Sequence, residues 1–202
     1  MRDGDRRRLR SPNDSLPRLR LGLGIRVIGG SLRGRRLATP RDAAVRPTSA
    51  RVREAVFDIL QGSVDGARVL DLFAGSGAMG IEAISRGAMH ATFVEQAKET
   101  AVVLARNVAE LDLESRSRLL RSRAAEALGR LGEERERFDL VFLDPPYADD
   151  PTGLLLRIAE IGIAPGTIVL EVARRRRLDA PAGWACDRRR YGDTELLVLR
   201  AG

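Results

Sequence analysis

A predicted strand and a predicted helix meet in the stretch Val69-Leu70-Asp71-Leu72-Phe73-Ala74-Gly75-Ser76-Gly77-Ala78-Met79-Gly80. The apolar residues of 69–73 are typical of a buried strand. The glycines that follow allow a tight turn into a helix over 77–86, which Gly87 closes. Their spacing matches the G-x-G-x-x-G pattern of nucleotide-binding folds. On its own this match is weak, because glycines permit close approach of the backbone to any ligand.

Strands and helices alternate through the rest of the chain. The apolar patterns predict strands over 91–95, 118–121, 139–143, 166–171 and 195–199, and helices over 97–110, 124–131 and 152–161. Repeated units of this kind favour a doubly wound, mainly parallel sheet. A Gly192-Asp193 turn leads into the last strand, and no helical pattern precedes it, so we expect the last two strands to be antiparallel.

The segment before this alternation has a different character. Residues 25–47 alternate short apolar pieces with glycine, which predicts a hairpin with an arginine-rich turn. Thr48 is then a suitable N-cap for a helix. The apolar face of that helix would comprise Val52, Ala55, Val56, Ile59 and Leu60. Arg51 and Arg53 are expected to lie away from this face, in solvent.

Composition limits the possible functions. The 202 residues suffice for one domain with a real core, and no apolar run approaches a membrane span. One cysteine and one histidine exclude an internal disulfide and a multi-histidine metal site, which fits a cytoplasmic protein. Residues 1–60 hold 15 arginines and six acidic residues, a net charge of +9, whereas the whole chain carries +7. The basic excess therefore belongs to the N-terminal part and suggests an RNA partner there.

Two acidic residues identify the kind of cofactor that the glycines would serve. Asp71 lies inside the strand before them, where its carboxylate would repel a pyrophosphate but attract an ammonium group. S-adenosylmethionine (SAM) carries an ammonium group and a sulfonium. Glu95 ends the next strand, where an acid can accept hydrogen bonds from both ribose hydroxyls.

A further strand ends in Asp144-Pro145-Pro146-Tyr147. The two prolines remove two N–H donors and stop the strand ladder, so that the carbonyls before them can serve a ligand. A carboxylate and a free carbonyl accept hydrogen bonds, and Tyr147 offers a flat aromatic face. Together they suit a planar ring with an exocyclic amino group, and a nucleobase is the obvious candidate.

These motifs resemble those of class I SAM-dependent methyltransferases that act on amino groups. More specific motifs resemble the RsmD family. They are Arg26-Val27-Ile28-Gly29-Gly30, Gly34-Arg35-Arg36-Leu37, the run from Arg46 to Leu60, and Tyr191-Gly192-Asp193-Thr194. The resemblance covers residues 25–200. Members of that family methylate N2 of one guanine in bacterial 16S ribosomal RNA.

The resemblance implies an α/β, Rossmann-like class I methyltransferase fold. We expect a doubly wound, mostly parallel seven-stranded sheet with an antiparallel last strand, plus a small N-terminal hairpin and helix. The domains would be a disordered basic tail (1–24), an RNA-binding extension (25–62, "the extension") and a methyltransferase domain (63–202). The cofactor would be SAM, converted to S-adenosylhomocysteine, with no metal. The partner would be 16S rRNA, within the small ribosomal subunit or an assembly intermediate. We expect a cytoplasmic monomer that makes no membrane contact.

The resemblance and the reasoning above assign residues to three sites. The catalytic set is Asp144, Pro145, Pro146 and Tyr147. The cofactor set is Asp71, Phe73, Ala74, Gly75, Ser76, Gly77, Glu95, Gln96, Ser122, Arg123 and Ala124. The RNA-binding set is Arg26, Arg33, Arg35, Arg36, Arg46, Thr48, Arg51 and Arg53. The chain departs from the family at Arg123, where an acid or amide often contacts the adenine amino group. Ser122 or the backbone would have to supply that contact.

Three other functions are compatible with parts of the sequence. A dinucleotide-dependent oxidoreductase would use the same glycines but leaves Asp71 and the Pro-Pro-Tyr corner unexplained. The presence of Asp71, Glu95 and Asp144 disfavours an RNA-binding module without activity. An adenine-N6 methyltransferase of DNA or RNA uses the same tetrapeptide, but the chain lacks the separate target-recognition domain of the DNA enzymes. Whether the substrate is naked RNA or an assembled subunit stays open.

Overall fold

A computed structural model describes residues 24–40, 49–146, 151–164, 166–174 and 178–201. Several predictions fall outside these residues. They concern the basic tail up to residue 23, Arg46 and Thr48 of the RNA-binding set, and Tyr147 of the catalytic set.

The described chain contains nine strands and five α-helices. The strands are β1 Ile25–Arg26, β2 Arg36–Leu37, β3 Arg68–Asp71, β4 His90–Val94, β5 Ser117–Leu120, β6 Leu140–Leu143, β7 Thr167–Ala173, β8 Trp184–Tyr191 and β9 Thr194–Ala201. The helices are α1 Ala50–Ile59, α2 Ala78–Ser85, α3 Lys98–Glu110, α4 Ala124–Glu133 and α5 Pro151–Ile161. The strands β1 and β2 pair as a small antiparallel hairpin, as the sequence predicts.

The other seven strands form one sheet in the order β5-β4-β3-β6-β7-β9-β8. The strands β5, β4, β3, β6 and β7 are parallel, and β9 pairs antiparallel to both β7 and β8. The α/β fold class, the seven strands and the antiparallel end are confirmed. The strand β8 itself was not predicted. Its residues 187–190 are Asp-Arg-Arg-Arg and show no alternation of apolar and polar side chains.

Helices cover both faces of the sheet. The buried side chains of α1, α2 and α3 pack with those of the hairpin on one face, and those of α4 and α5 pack on the other. Phe57 of α1 meets Phe142 of β6 edge to face, with ring centroids 5.8 Å apart. The extension therefore shares a core with the sheet.

The helix α1 begins one residue later than the proposed cap implied. Ser49 is its N-cap, and the Ser49 hydroxyl accepts a hydrogen bond from Val52 N at 3.2 Å. The prediction that Thr48 caps this helix is therefore wrong. Serine and threonine are both good caps, and here the Ser49 hydroxyl accepts the N–H of Val52, the third residue of the helix. Within the described residues, no helix is long and apolar enough to cross a membrane.

Candidate active site

Three acidic residues follow or end three adjacent parallel strands. Asp71 is the last residue of β3 and pairs with Phe93 of β4 and Phe142 of β6. Glu95 and Asp144 each lie two residues beyond these partners in the sequence. Because parallel strands end at the same edge of a sheet, the three acids meet at the carboxyl edge, where ligands of such folds bind.

Asp71 is the buried member of this group. Its side chain is 4% exposed, and Oδ2 accepts a hydrogen bond from Gly80 N at 3.2 Å. The pKa of Asp71 is raised to about 7, mainly by burial; the negative charges of Asp144 and Glu95 contribute to the rise, and the Gly80 and Phe73 N–H groups oppose it. Asp71 and Asp144 are therefore close enough to interact through their charges, as one shared pocket requires.

The glycine-rich loop runs between Asp71 and α2. Gly75 and Gly77 have φ values of 54° and 86°, in the left-handed region that favours glycine. A Cβ added at Gly75 would meet no atom within 4 Å, so the loop leaves open space on that side for a ligand. A Cβ added at Gly80 would instead collide with the ring of Phe93. The first two glycines shape the loop, and the third lets α2 pack closely on β4.

Glu95 joins the end of β4 to this loop. Its Oε2 accepts a hydrogen bond from Gly75 N at 3.0 Å, and its Oε1 accepts one from Ala97 N at 2.7 Å. The side chain is half-buried. It therefore lies directly beside the glycine loop, on the side where the predicted ribose would be bound.

The remaining predicted cofactor residues surround the same edge. Ala74 N donates to Val94 O at 3.0 Å, Phe73 is half-buried, and Gln96 is exposed. Ser122–Ala124 come after β5, where Glu95 N donates to Leu120 O at 3.1 Å. Arg123 is exposed and its N–H donates to Glu126 Oε2 at 3.4 Å. The structure thus brings this segment to the same carboxyl edge of the sheet as Glu95.

The corner after β6 begins with Asp144. Leu72 N donates to Phe142 O at 3.1 Å, and β6 ends at Leu143. Asp144 and Pro146 are half-buried, and Pro145 is buried. Asp144, the first of the predicted catalytic residues, therefore lies near Asp71, and Pro145 and Pro146 follow it in the chain.

The predicted RNA-binding arginines divide into two groups. Arg26, Arg33, Arg35, Arg36 and Arg51 are exposed. Arg53 is only 2% exposed, so the prediction that it lies on the solvent face of α1 is wrong. The reason is a buried partner: Arg53 Nε lies 3.7 Å from Glu82 Oε2, and Arg53 Nη2 donates to Arg26 O at 2.6 Å.

An open cleft of about 560 Å³ lies between the hairpin and the start of α1. Its lining includes Ile25, Arg26, Val27, Arg33, Ser49 and Arg53. Among the residues that the structure describes, no acidic side chain lines this cleft, and α1 has no acid in its first turn. The cleft is therefore a positively charged recess on the extension.

Two buried polar residues were missed by the sequence reasoning. Glu82 of α2 accepts hydrogen bonds from Ile28 N at 2.8 Å and Gly29 N at 2.7 Å. Asn107 of α3 bonds to Ala38 and to Ser76. The available signal was a polar residue on an otherwise apolar helix face, since buried polar groups require partners.

Metal ligands are not grouped in the part of the chain that the structure describes: no cluster of three or more His, Cys, Asp or Glu there could hold a metal ion.

Comparison with known proteins extends these observations. The model of the family described as "Conserved hypothetical protein 95" matches residues 25–200. The chain is 38% identical over 136 residues to the "Putative rRNA methyltransferase YlbH" of Bacillus subtilis. This alignment covers 67% of this chain and 74% of that protein. It is 42% identical over 123 residues to "Ribosomal RNA small subunit methyltransferase D" of Escherichia coli K12. That alignment covers 61% of this chain and 60% of the relative, less than two thirds of its length.

A solved structure agrees with the sequence matches. The "Putative methyltransferase yhhF from Escherichia coli" superposes with a TM-score of 0.78 at 33% identity, covering 88% of this chain and 98% of that one. The family model spans both the extension and the sheet. The chain therefore belongs to the family described as Conserved hypothetical protein 95, the RsmD family of methyltransferases that its sequence motifs resemble.

Proposed function

We propose that this protein transfers a methyl group from SAM to the exocyclic N2 of a guanine in bacterial 16S rRNA. The observation that carries the proposal is the adjacency of Asp71 and Asp144, whose charges interact at one sheet edge beside the glycine loop. A cofactor pocket and a base-binding corner would then share that edge. The names of the two sequence relatives, both rRNA methyltransferases, support the RNA substrate.

The residues at this edge fit SAM in their chemistry. Asp71 would hold the ammonium group, and Glu95 would accept hydrogen bonds from the ribose hydroxyls. The open space beside Gly75 leaves room for the ligand along the loop. Asp71 disfavours a dinucleotide, because its carboxylate would repel the pyrophosphate. When bound, SAM supplies an electrophilic methyl group.

Asp144 and Pro145 would orient the base. The Asp144 carboxylate and the Pro145 carbonyl accept hydrogen bonds from an exocyclic amino group, which holds the nitrogen lone pair toward the cofactor pocket. The nitrogen gains positive charge as its bond to the methyl group forms and the bond from that methyl to sulfur breaks, and the Asp144 carboxylate would stabilise that charge. S-adenosylhomocysteine would be the leaving group, and the surplus proton of the amino nitrogen would pass to solvent. Tyr147 would stack on the base, worth about 1–3 kcal/mol in single-strand binders. A paired base would first have to leave its helix.

The extension would bind the RNA backbone. Exposed Arg33 lines the positively charged cleft, and Arg35, Arg36 and Arg51 add charge nearby in the sequence. Arginine forms paired hydrogen bonds to phosphate, which suits this role. Arg53 has a different task, since its buried guanidinium joins α1 to β1 and α2.

The test is methyl transfer to small ribosomal subunits from a bacterial strain that lacks this activity. Radiolabelled SAM and nucleoside analysis should yield labelled N2-methylguanosine. Labelled N6-methyladenosine would assign the corner to adenine instead, and no labelling of RNA would refute the proposal. Naked 16S rRNA in a parallel reaction shows which form of the substrate the protein uses.

A further inference from the structure

Asn107 is a buried amide that contacts two separate functional parts of the protein. It lies on α3 and is 1% exposed. Its Oδ1 accepts a hydrogen bond from Ala38 N at 2.8 Å, and its Nδ2 donates to Ala38 O at 2.9 Å. The same Nδ2 donates to Ser76 O at 2.8 Å. Both protons of the amide nitrogen are thus used, one for each carbonyl.

The two partners of Asn107 belong to different regions. Ala38 directly follows β2, the second strand of the hairpin in the extension. Ser76 lies between Gly75 and Gly77 in the loop that would hold SAM. One side chain therefore fixes the end of the hairpin and a carbonyl of the glycine loop at the same time.

Several further hydrogen bonds attach the hairpin to α2. Ser85 Oγ donates to Gly29 O at 2.5 Å and accepts from Leu32 N at 2.9 Å. Glu82 accepts the N–H groups of residues 28 and 29. These contacts hold the extension without touching residues 75–77. Asn107 differs from Ser85 and Glu82 because it also contacts the loop.

We propose that Asn107 is a positioning residue that sets the affinity of the protein for both SAM and RNA. It holds the glycine loop in its binding conformation through Ser76 and the hairpin in place through Ala38. This inference rests on the proposed function for its RNA half, whereas its SAM half concerns the loop alone.

The critical variant is Asn107→Asp, which keeps the shape and the acceptor for Ala38 N. It replaces the donor nitrogen by an oxygen that faces the carbonyls of Ser76 and Ala38. We expect the dissociation constants for SAM and for a 16S rRNA fragment each to rise by roughly tenfold, as leaving buried groups unpaired implies. Calorimetry with SAM and filter binding with RNA measure the two affinities separately, without turnover. In the methylation assay KM should rise for both substrates while kcat changes little, because Asp144 is not touched.

Two matched variants separate this role from general destabilisation. Arg106 precedes Asn107 on α3 and forms an exposed ion pair with Glu110. Arg106→Gln removes that ion pair and should change neither affinity. Ser85→Ala loosens only the hairpin and should weaken RNA binding while the SAM affinity stays within twofold. If Asn107→Asp does not fold, Asn107→Ala removes the same bonds without adding a charge and should act in the same direction.

An unchanged SAM affinity in a folded Asn107 variant would overturn the inference. So would a loss of SAM affinity with unchanged RNA affinity, because the two regions would then be independent. Wild-type protein that binds SAM but neither binds nor methylates rRNA would refute the proposed function, and the RNA half of this inference with it. Comparison of variant with wild type on SAM alone would still decide the role of Asn107 at the loop.

Discussion

The carboxylate of Asp144 acts through its charge on the buried carboxyl of Asp71, one strand away in the sheet. The pKa of Asp71 is raised to about 7, mainly by burial and then by Asp144 and Glu95. As the pH falls through 7, Asp71 takes up a proton and loses the charge that would attract the ammonium group of SAM. The protonation of Asp71 therefore depends on the negative charge of Asp144 beside it.

Binding of SAM should accordingly weaken in mild acid. With a pKa of about 7 for Asp71, the dissociation constant at pH 6 should be roughly tenfold higher than at pH 8. Calorimetric titrations across pH 5.5–8.5 measure this. Asp71→Asn should bind weakly at every pH. A flat profile in the wild-type protein would show that Asp71 does not titrate with binding.

The stability of the ligand-free protein should change in the same pH range. The folded-state pKa of Asp71 lies above its ordinary value of 3.8, so the folded protein holds this proton more tightly than the unfolded chain. The stabilising contribution is complete below about pH 4 and is lost as the pH rises through 7. Denaturant titrations at pH 5 and pH 8 measure this effect. The free energy of unfolding of the wild type should fall between the two pH values, whereas that of Asp71→Asn should lack this loss.

Asp144→Asn should separate catalysis from cofactor binding. Loss of the carboxylate removes the acceptor that stabilises charge on the base, and we expect kcat to fall at least roughly 100-fold. The SAM affinity at pH 8 should stay within a few-fold. Because one negative charge near Asp71 is gone, the midpoint of the SAM pH profile should also move to lower pH. Full activity of this variant would remove Asp144 from the mechanism.

Gly80→Ala tests the packing of α2 on β4. The added methyl group would collide with the ring of Phe93, and overpacking of a core costs about 1–3 kcal/mol of unfolding free energy. Gly129→Ala in α4 is the matched control, since an added Cβ there meets no atom within 4 Å. Helix propensity predicts that Gly129→Ala stabilises the protein by up to about 1 kcal/mol. Urea denaturation distinguishes the two, and equal effects would contradict the packing argument.

Arg33→Ala tests the positively charged cleft of the extension. RNA affinity should fall. The plot of log affinity against log salt concentration should become less steep by about 1, the contribution of one phosphate contact. Arg130→Ala is a suitable control, because Arg130 is exposed on α4 and pairs with Glu134. Filter binding between 50 and 300 mM salt gives both slopes, and identical slopes for wild type and Arg33→Ala would exclude Arg33 from phosphate binding.

The sheet was predictable because its central parallel strands β3, β4, β6 and β7 are largely buried on both faces and are short apolar runs in the sequence. The strands β3 to β6 all lie within two residues of their predicted ends. The strand β8 could not be found in this way, since its exposure allows arginines along it. Its pairing with β9 depends on a register that no local pattern encodes.

The candidate site was predictable to the extent that strand ends converge. Asp71, Glu95 and Asp144 could be placed together from topology alone. The burial of Arg53 could not, because its partner Glu82 lies 29 positions further on and the sequence does not show which arginine it neutralises. The same holds for Asn107, whose polar side chain signals a buried partner but does not identify Ala38 or Ser76.

The strand β8 has one further consequence. It is one of the two edge strands of the sheet, and no strand of the described residues pairs with its outer side. The strand β8 carries three consecutive arginines, 188–190. Arg188 and Arg190 form ion pairs with Glu195, and Arg189 forms one with Asp187. Bulky charged side chains on both faces oppose the addition of a foreign strand. The arginine-rich stretch that hid β8 from sequence analysis thus protects the folded protein against edge-to-edge aggregation.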